Sequence, residues 1–544
     1  MKNKFLGKEI SGPFTVPSGI VTCSTNIIRR FFELVPEVGV LTTKSIGPEP
    51  REGYREPILT QYEPGSFINA VGLTNPGVSR SAELLATLSI PKNRFLLISI
   101  FGASVEEYVD VARQLAPHGD GLELNLSCPH AKGLGMAMGQ DPALVEKIVS
   151  SVKAAVNVPV VAKLTPNVPD IGVIAEAAEK GGADAICAIN TMGPEQYDSH
   201  GFPILSNKKG GVSGKGIMST ALEGVSRIRE AVRCPIIACG GISGANDVRQ
   251  FLQNGASIVG IGSALVGMTT AEIATYFQVL TKDLENQTDE SESLIRYDID
   301  MEFRPVRLVK NERITEDICI LTFDRKVEIQ AGQFVFLWIP GLGEKPFSAL
   351  VDDPFKLAVI NLGTFTDELM TLEPGTEAYV RGPHGNPVEP PNNSRIIAVA
   401  GGTGLAAVYQ LARDFGNTDI YFGARSKDRL YFLEESSDVS NLHISTDDGS
   451  YGAKGLITEL LEKNLEHMSL EERESLVFYN CGPAPMVRAA EKLQRRYVHP
   501  DRIHNAIDYL TKCGVGICGA CDSPEGRRLC VDGPFLDAAD ATTI

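Results

Sequence analysis

The stretches GLELNLS (residues 121–127), DPALVEKIVSSVKAAV (141–156) and PVVAKL (159–164) decide the fold of the first half of the chain. The outer two are short apolar runs typical of buried parallel strands, and the middle one has the periodicity of an amphipathic helix. Eight apolar runs occur in the first 285 residues, several of them followed by helical patterns: 14–19, 39–45, 95–102, 121–127, 159–164, 185–191, 235–241 and 258–264. We therefore predict an α/β fold, a TIM (β/α)8 barrel over 1–285, with an open doubly wound sheet as the alternative.

Polar residues end nearly every one of these runs: Ser18, Lys44, Ser99, Asn125, Lys163, Asn190 and Ser263. In a TIM barrel the carboxyl ends of the strands share the face where catalytic groups collect. The two lysines need an anion or a ligand to offset their desolvation. Glycine-rich segments at 208–216, 239–244 and 260–264 fall in the late loops, where backbone N–H groups can approach a phosphate. The pattern predicts a phosphate-bearing cofactor at this face.

Four cysteines lie close together in TKCGVGICGACDSPEGRRLC (511–530), with the spacing C-x4-C-x2-C-x8-C. This is the plant-type spacing of a [2Fe–2S] cluster, and the intervening glycines let the backbone fold closely around it. The predicted ligands are Cys513, Cys518, Cys521 and Cys530. A structural zinc site more often shows paired CxxC knuckles, and a disulfide pair is typical of secreted chains. We interpret the stretch as an electron-transfer centre.

The bulk properties narrow the class of protein. A net charge of −17 over 544 residues argues against nucleic acid and an anionic membrane surface as partners. No apolar run approaches the roughly 18 residues of a membrane helix, and the start of the chain lacks the apolar core of a signal peptide. Eleven cysteines without such a signal favour the reducing cytoplasm.

The second half divides by pattern. Residues 286–300 are polar and acidic and indicate a linker. Short strands without a long helix over 301–393 predict a small antiparallel β-barrel. Alternating strands and helices return over 394–498 and predict a parallel α/β domain, followed by the cysteine domain at 499–544.

Two segments of the α/β domain indicate a dinucleotide site. An apolar strand runs into Gly401-Gly402-Thr403-Gly404 and then into a helix, where glycine lets a pyrophosphate approach the helix N-terminus. A later strand ends in NCGPAPM, with Cys481, Gly482 and Pro483 at the turn. Each motif alone is weak evidence for a nucleotide site, but the two together predict one.

Residues 301–544 resemble the electron-transfer subunit of the NAD-dependent (class 1B) dihydroorotate dehydrogenases, which is similar to ferredoxin reductases. The resemblance implies FAD held by Lys345, Pro346, Phe347 and Ser348 and by Gly363, Thr364 and Thr366. Lysine stands where that family has arginine, so the contact to the pyrophosphate loses its bidentate geometry. GGTG and CGPAPM match the family's NAD site. The basic residues in GARSKDR (423–429) could bind a 2′-phosphate, so NADP remains an alternative to NAD.

Residues 1–285 resemble the catalytic subunit of the same enzymes, through TTKS, NAVGLTNPG, LNLSCP, AKLTPN, GGVSGKGI and ACGGISGANDV. The resemblance implies FMN held by Ser18, Lys44, Ser45, Ser99, Asn125, Lys163, Gly214, Gly240, Gly241, Gly262 and Ser263. It implies substrate bound by Asn69, Gly72, Leu73, Asn125, Asn190 and Thr191. Cys128 falls on the family's catalytic base, a role that needs a lowered pKa or a rising pH. Lys44 is predicted to be catalytic as well as FMN-binding.

The barrel also departs from that family. The residue after Ser-Cys-Pro is His130 instead of asparagine, and GQDP (139–142) resembles dihydropyrimidine dehydrogenase. That family's general acid is a cysteine, but Met138 occupies the aligned position and cannot donate a proton. His130 is a candidate second acid/base, a carboxylate ligand or a loop residue.

We predict that the chain oxidises dihydroorotate and passes electrons from FMN through [2Fe–2S] and FAD to NAD. One alternative is NAD(P)H-driven reduction of uracil, thymine or another conjugated ring. A second alternative is an electron-transfer module that serves a partner protein. The resemblance also implies a homodimer through the barrel. Fusion of both parts in one chain raises their effective concentration for each other.

Overall fold

The computed structural model describes residues 3–127, 135–507 and 510–539. The chain forms two compact units. The first comprises Met1–Ile299 and Val515–Asp522, and the second comprises Asp300–Gly514 and Ser523–Ile544. No helix of the described residues is long and apolar enough to cross a membrane.

The first unit is built of short strands that alternate with helices. Its strands are β1 (Asn3–Phe5), β2 (Lys8–Ile10), β3 (Phe14–Val16), β4 (Val40–Thr42), β5 (Pro50–Arg51), β6 (Leu59–Glu63), β7 (Ser66–Asn69), β8 (Asn75–Pro76), β9 (Phe95–Ile100), β10 (Gly121–Asn125), β11 (Val160–Lys163), β12 (Ala185–Ala188), β13 (Met192–Gln196), β14 (Asp198–Ser199), β15 (Phe202–Pro203), β16 (Lys209–Gly214), β17 (Ile236–Cys239) and β18 (Ile258–Gly260). Its helices are α1 (Thr25–Leu34), α2 (Val78–Leu85), α3 (Val105–Leu115), α4 (Gly135–Gln140), α5 (Pro142–Ala155), α6 (Ile171–Lys180), α7 (Met218–Ala231), α8 (Ala245–Gln253) and α9 (Thr270–Asn286).

Eight of these strands close into a parallel barrel in the order β3-β4-β9-β10-β11-β12-β17-β18. All eight predicted runs supply one strand each, so the TIM barrel is confirmed and the open doubly wound sheet is wrong. Helix starts agree with the sequence, because Ser104, Asp141 and Asp170 cap α3, α5 and α6 through their side chains.

The barrel interior is apolar below its carboxyl end. Inward-facing side chains alternate along each strand, and the hairpin β1–β2 covers the amino end with Phe5 and Ile10. Phe5 packs edge-on against Phe95 of β9, with ring centroids 5.2 Å apart. Full burial of one large aliphatic or aromatic side chain contributes about 1.5–3 kcal/mol.

Two insertions leave from the carboxyl ends of β4 and β12. They form an antiparallel sheet with the strand order β13-β16-β7-β6. Because carboxyl ends of barrel strands share one face, this sheet belongs to the side that carries the polar strand ends.

The second unit contains two sheets of seven strands each. Its strands are β19 (Arg304–Arg313), β20 (Ile318–Phe323), β21 (Phe334–Ile339), β22 (Gly343–Phe347), β23 (Ala349–Asp352), β24 (Phe355–Ile360), β25 (Glu377–His384), β26 (Arg395–Gly401), β27 (Thr418–Ala424), β28 (Asn441–Thr446), β29 (Ala453–Lys454), β30 (Leu476–Gly482), β31 (Ile503–Ile507) and β32 (Leu536–Asp537). Its helices are α10 (Thr364–Thr371), α11 (Gly404–Asp414), α12 (Leu433–Val439), α13 (Ile457–Glu466), α14 (Leu470–Glu474), α15 (Ala484–Gln494) and α16 (Leu529–Asp532).

The two sheets correspond to the predicted antiparallel and parallel parts. The first has the order β22-β21-β25-β19-β20-β24-β23 and is antiparallel throughout, a half-barrel with edge strands β22 and β23. The second has the order β29-β28-β27-β26-β30-β31-β32, parallel except for β32. Since β31 and β32 follow residue 499, part of the predicted cysteine domain completes this sheet.

Candidate active site

Four predicted strand-end residues and Ser45, a predicted FMN-binding residue, form one hydrogen-bonded chain at the carboxyl edge of the barrel. Ser18 Oγ lies 3.1 Å from Ser45 Oγ, which lies 2.9 Å from Ser99 Oγ. Asn125 Nδ2 donates to Ser45 Oγ at 3.0 Å, and Asn125 Oδ1 accepts from Asn190 Nδ2 at 3.3 Å. Barrel closure brings these residues together, because neighbouring parallel strands end side by side.

Lys163 is a buried cation inside the barrel that faces Glu123 of the neighbouring strand. Lys163 Nζ lies 3.9 Å from Glu123 Oε1, and the two side chains are 6% and 2% exposed. Glu123 Oε1 accepts no hydrogen bond among the described residues. Burial lowers the pKa of Lys163, but Glu123 and, after it, Cys187 and Cys239 raise it, so the net pKa lies above its ordinary value. A charged ammonium therefore faces the interior, with donors left for a bound ring.

Lys44 supplies a second cation directly after β4. Its side chain is half-buried, and its ammonium makes no ion pair or hydrogen bond among the described residues. The strand order places β4 and β11 on opposite sides of β9 and β10. Because these strands are parallel and each predicted lysine lies at or just after the carboxyl end of its strand, both lysines belong to the same end of the barrel.

The predicted phosphate loops meet one another. Gly214, Gly240 and Gly241 have the positive φ angles 89°, 129° and 73°. A Cβ at Gly241 would lie 2.7 Å from the carbonyl oxygen of Gly214, and one at Gly214 would lie 2.1 Å from that of Gly65. Only glycine permits this close backbone approach, so the two loops lie next to each other with no side chains between them. Gly262 and Ser263, the other predicted phosphate residues, are half-buried.

The predicted substrate residues gather around Gly211 of β16. Asn69 Nδ2 donates to the Gly211 carbonyl at 3.3 Å, and a Cβ at Gly211 would lie 2.2 Å from Thr191 Oγ1. The Thr191 N–H donates to Asn190 Oδ1 at 2.8 Å. Gly72 and Leu73 have left-handed backbones, at φ 82° and 56°, in the loop that follows Asn69.

Cys128 and His130 lie outside the described residues, so their predicted roles stay predictions. Strand β10 precedes these two residues, and its last residue, Asn125, accepts a hydrogen bond from Tyr108 Oη through its carbonyl at 2.7 Å. Beyond the gap, Met138 is buried in α4 at 4% exposed.

Sequence reasoning missed Glu123 and Tyr108. Glu123 lies two residues before Asn125 in β10, and alternate residues of a strand face the same side. This spacing could have identified Glu123 as a second polar residue that faces the barrel interior. Tyr108 gave no such signal, since its hydroxyl meets β10 only through helix packing.

The two predicted nucleotide motifs adjoin in the second unit. A Cβ at Gly404 would lie 2.1 Å from the Cys481 carbonyl oxygen, and one at Gly482 would lie 2.8 Å from that of Gly401. Tyr431 Oη donates to the Gly402 carbonyl at 3.1 Å. Thr403 precedes α11, whose N-terminus is suited to a pyrophosphate, and Pro483 precedes α15.

The basic residues after β27 have different surroundings. Arg429 Nη1 lies 2.9 Å from Asp317 Oδ2, so its charge is matched. Arg425 and Lys427 are exposed.

The predicted flavin motif of the half-barrel lies at the end of β22. Lys345, Pro346, Phe347 and Ser348 are all half-buried there. Gly363 and Thr364 are exposed at the start of α10. The hydroxyl of Thr366, in the first turn of that helix, accepts from the N–H groups of Leu362 and of the N-cap residue Gly363 at 2.8 and 3.1 Å.

A buried ion pair stands behind this motif. Arg381 Nη2 lies 2.8 Å from Glu344 Oε1, and the side chains are 0% and 1% exposed. Arg381 Nη1 donates to the Cys513 carbonyl at 3.0 Å. The residue before the flavin motif is thereby linked to the first predicted cluster ligand.

Comparison with known proteins agrees with this geometry. The family model "Dihydroorotate dehydrogenase" matches residues 1–280, more than half of the chain. The chain belongs to the dihydroorotate dehydrogenase family. The model "Oxidoreductase NAD-binding domain" matches residues 398–492.

Relatives named "Dihydroorotate dehydrogenase B (NAD(+)), catalytic subunit" match the barrel. The protein of Pyrococcus horikoshii is 43% identical over 263 residues, which is 48% of this chain and 85% of the relative. That of Methanocella arvoryzae is 42% identical over 263 residues, with the same coverage of both chains. That of Pyrococcus furiosus is 42% identical over 269 residues, 49% of this chain and 87% of the relative.

A solved structure, of an NADH-dependent reduced ferredoxin-NADP oxidoreductase, is 27% identical and covers 43% of this chain and 88% of its own. Its TM-score is 0.39, so the fold assignment depends on the strand order described above.

A dihydroorotate dehydrogenase barrel and an NAD-binding oxidoreductase domain imply a flavin and NAD. The barrel residues fit a flavin, because Lys163 and Lys44 offer cations and the glycine loops offer room for a phosphate. Glu123 Oε1 is buried and accepts no hydrogen bond from the part of the chain that the structure describes, so it adds a polar atom that a ligand could satisfy.

The four predicted cluster ligands are all buried cysteines, and Gly514, Gly516 and Gly519 between them have positive φ angles of 79°, 74° and 65°. Their thiol chemistry and loop fit a [2Fe–2S] cluster. Among the described residues, no three His, Cys, Asp or Glu side chains form an assembled metal site.

Proposed function

We propose that this chain oxidises dihydroorotate to orotate and reduces NAD. The hydrogen-bonded chain of Ser45, Ser99, Asn125 and Asn190 at the barrel's carboxyl edge is the observation that carries the proposal. It lies within the part of the chain that matches the family, and the same chain carries an NAD-binding domain.

The amide-rich edge binds and orients the pyrimidine. Asn69, Asn125, Asn190 and Thr191 present donors and acceptors that match a ring with two amides and a carboxylate. The backbone of Gly72 and Leu73 adds N–H groups in the same loop. Fixing the ring in one pose aligns its C5–H and C6–H bonds for removal of a proton and a hydride.

Cys128 takes the proton from C5. A thiol is a base only as thiolate, so the rate rises with pH until that cysteine is ionised. His130 is the second candidate for a proton-handling group or for a contact to the carboxylate.

The two lysine ammonium groups stabilise negative charge that develops on the flavin when the pyrimidine is oxidised. Lys163 and Lys44 would hold the ring and phosphate of FMN, and Gly214, Gly240, Gly241, Gly262 and Ser263 would offer backbone N–H groups to the phosphate. When bound, FMN, FAD and a [2Fe–2S] cluster supply the transfer of hydride and single electrons between pyrimidine and nicotinamide.

The second half of the chain, residues 301–544, provides the remaining binding residues. Lys345–Ser348, Gly363 and Thr364 bind FAD over 301–393, and the paired glycine turns bind NAD over 394–498. Cys513, Cys518, Cys521 and Cys530 ligate the cluster. A homodimer through the barrel and a cytoplasmic location complete the proposal.

Anaerobic titration of the purified chain tests the function. We expect dihydroorotate to bleach the flavin absorbance, and NAD to restore it with formation of NADH. Steady-state assays then compare dihydroorotate plus NAD with uracil plus NADH or NADPH. Faster turnover with uracil contradicts the proposal and favours the reductive direction suggested by His130. A chain purified anaerobically without flavin or iron contradicts it altogether.

A further inference from the structure

Residues 286–299, which lie within the predicted linker 286–300, are packed against the barrel. This segment lies beyond residue 280, where the match to the family ends, yet it belongs to the first compact unit. It begins at the last residue of α9 and contains a short 3-10 turn at Glu290–Leu294. We call residues 286–299 the strap.

Tyr297 fastens the strap to the hairpin β6–β7 through its backbone. Its carbonyl accepts from the Gly65 N–H at 2.8 Å and from Gln61 Nε2 at 2.5 Å. Gln61 Oε1 also accepts from the Ile299 N–H at 3.1 Å. The carbonyl oxygen of this same Gly65 lies close to Gly214 and accepts a hydrogen bond from the Lys215 N–H at 3.0 Å.

The side chain of Tyr297 reaches the second glycine loop. Tyr297 Oη lies 3.1 Å from Ser243 Oγ and donates to Glu292 Oε1 at 2.7 Å. Ser243 lies two residues after Gly241, and its N–H donates to Asp247 Oδ2 at 3.0 Å. One tyrosine thus contacts both loops that are suited to a phosphate.

Lys215 is held by the same group of residues. Its Nζ lies 3.0 Å from Glu292 Oε1, 3.7 Å from Asp247 Oδ2 and 5.1 Å from the centre of the Tyr297 ring. Burial lowers the pKa of Lys215, but hydrogen bonds to Tyr297 and Glu292 and the charge of Asp247 raise it above its ordinary value. Although it sits in the glycine-rich GGVSGKG, this lysine is an anchor with two acidic neighbours.

A third contact fixes the start of α8. Asp289 accepts from the Asn246 N–H at 3.2 Å and from Asn246 Nδ2 at 2.6 Å. The strap therefore binds three parts of the barrel unit: the hairpin, the turn after β16, and the loop after β17 together with the helix α8 that follows it.

We propose that the strap fixes the two glycine loops that receive the FMN phosphate, with Tyr297 and Glu292 as its positioning residues. The inference rests on the proposed function for the existence of the FMN site. Backbone N–H groups bind an anion well only when their orientation is set beforehand, and glycine loops are intrinsically permissive. In this chain the segment that leads to the electron-transfer module sets that orientation.

Affinity for FMN compared with riboflavin tests the strap, since riboflavin lacks the phosphate. The full chain is deflavinated, saturated with FAD and titrated with each compound. We expect Tyr297→Phe and Glu292→Gln to lower the FMN-to-riboflavin affinity ratio about tenfold, as loss of one charge-linked hydrogen bond implies. Tyr197→Phe is the matched control, because that exposed hydroxyl makes no hydrogen bond among the described residues.

The outcomes separate the two proposals. An unchanged ratio in both variants overturns the strap's role. An equal loss of both affinities also overturns it, because a merely structural contact would affect the ring and the phosphate alike. A wild-type chain that binds neither compound contradicts the proposed function itself.

Discussion

The positive charge of buried Lys163 depends on the neighbouring carboxylate of Glu123. Each charge is buried, so that neither is tolerated alone, and their 3.9 Å separation leaves the lysine donors available to a ligand. The lysine could be predicted as a strand-end cation. The carboxylate that keeps it charged could not, because the pairing is between neighbouring strands whose sequences are 40 residues apart.

Glu123→Gln should destabilise the chain by about 3–5 kcal/mol, the usual result of leaving a buried charge without its partner. Chemical denaturation at neutral pH measures this. The double variant Glu123→Gln/Lys163→Met should recover part of the loss, since it removes the orphaned ammonium. If both variants unfold like the wild type, the pair has no such coupling.

Asp419 gives a prediction about pH. Burial raises its pKa, but hydrogen bonds from His443, Arg395 and Asn441 lower it to a net value of about 2. A carboxyl with a depressed folded pKa contributes stability above its ordinary pKa of 3.8, and the contribution is lost as pH falls toward 2.

Asp419→Asn should therefore cost about 2 kcal/mol at pH 7, and the difference from wild type should shrink as pH falls below about 4. Urea unfolding at several pH values measures it. Asp438→Asn, at an exposed position of α12, should change little at any pH. A pH-independent difference at Asp419 would contradict the assignment.

At the scale of elements, the closest approach between α11 and β30 depends on glycine. A Cβ at Gly404 would meet the Cys481 carbonyl oxygen at 2.1 Å, a backbone atom that cannot rotate away. Both motifs were visible in sequence as separate turns. Their contact follows from strand order, because β26 and β30 are neighbours in the sheet.

Gly404→Ala should push the two nucleotide turns apart and raise the KM for NAD at least about tenfold, corresponding to about 1.4 kcal/mol of lost binding. Reduction of the flavin by dihydroorotate should stay unchanged. Gly416→Ala is the control, since a Cβ there meets nothing within 4 Å. A normal KM for NAD in Gly404→Ala would place the dinucleotide elsewhere.

At the scale of the whole molecule, one chain carries a barrel for the pyrimidine and a second unit for the nicotinamide. The relatives that match the barrel cover 48–49% of this chain, so the remainder is additional to them. Fusion keeps the two activities at fixed stoichiometry.

Cys521→Ala separates these activities. We expect NAD reduction by dihydroorotate to be lost, because a cluster with one ligand removed no longer transfers electrons. Reduction of the barrel flavin by dihydroorotate, followed by stopped-flow absorbance, should continue. Cys234→Ser, outside the quartet, should leave both reactions intact. Unimpaired NAD reduction in Cys521→Ala would remove the cluster from the route.

The amino-acid sequence by itself determined the eight barrel strands, the polar residues at their ends and the paired nucleotide turns. These features depend on local periodicity and on glycine, which are written into short stretches of chain. Only the tertiary structure decided that Glu123 faces Lys163, that Arg381 joins Glu344 to Cys513, and that residues 286–299 bind the glycine loops. Those contacts join residues far apart in sequence, and the free energy that selects them comes from burial of the whole unit.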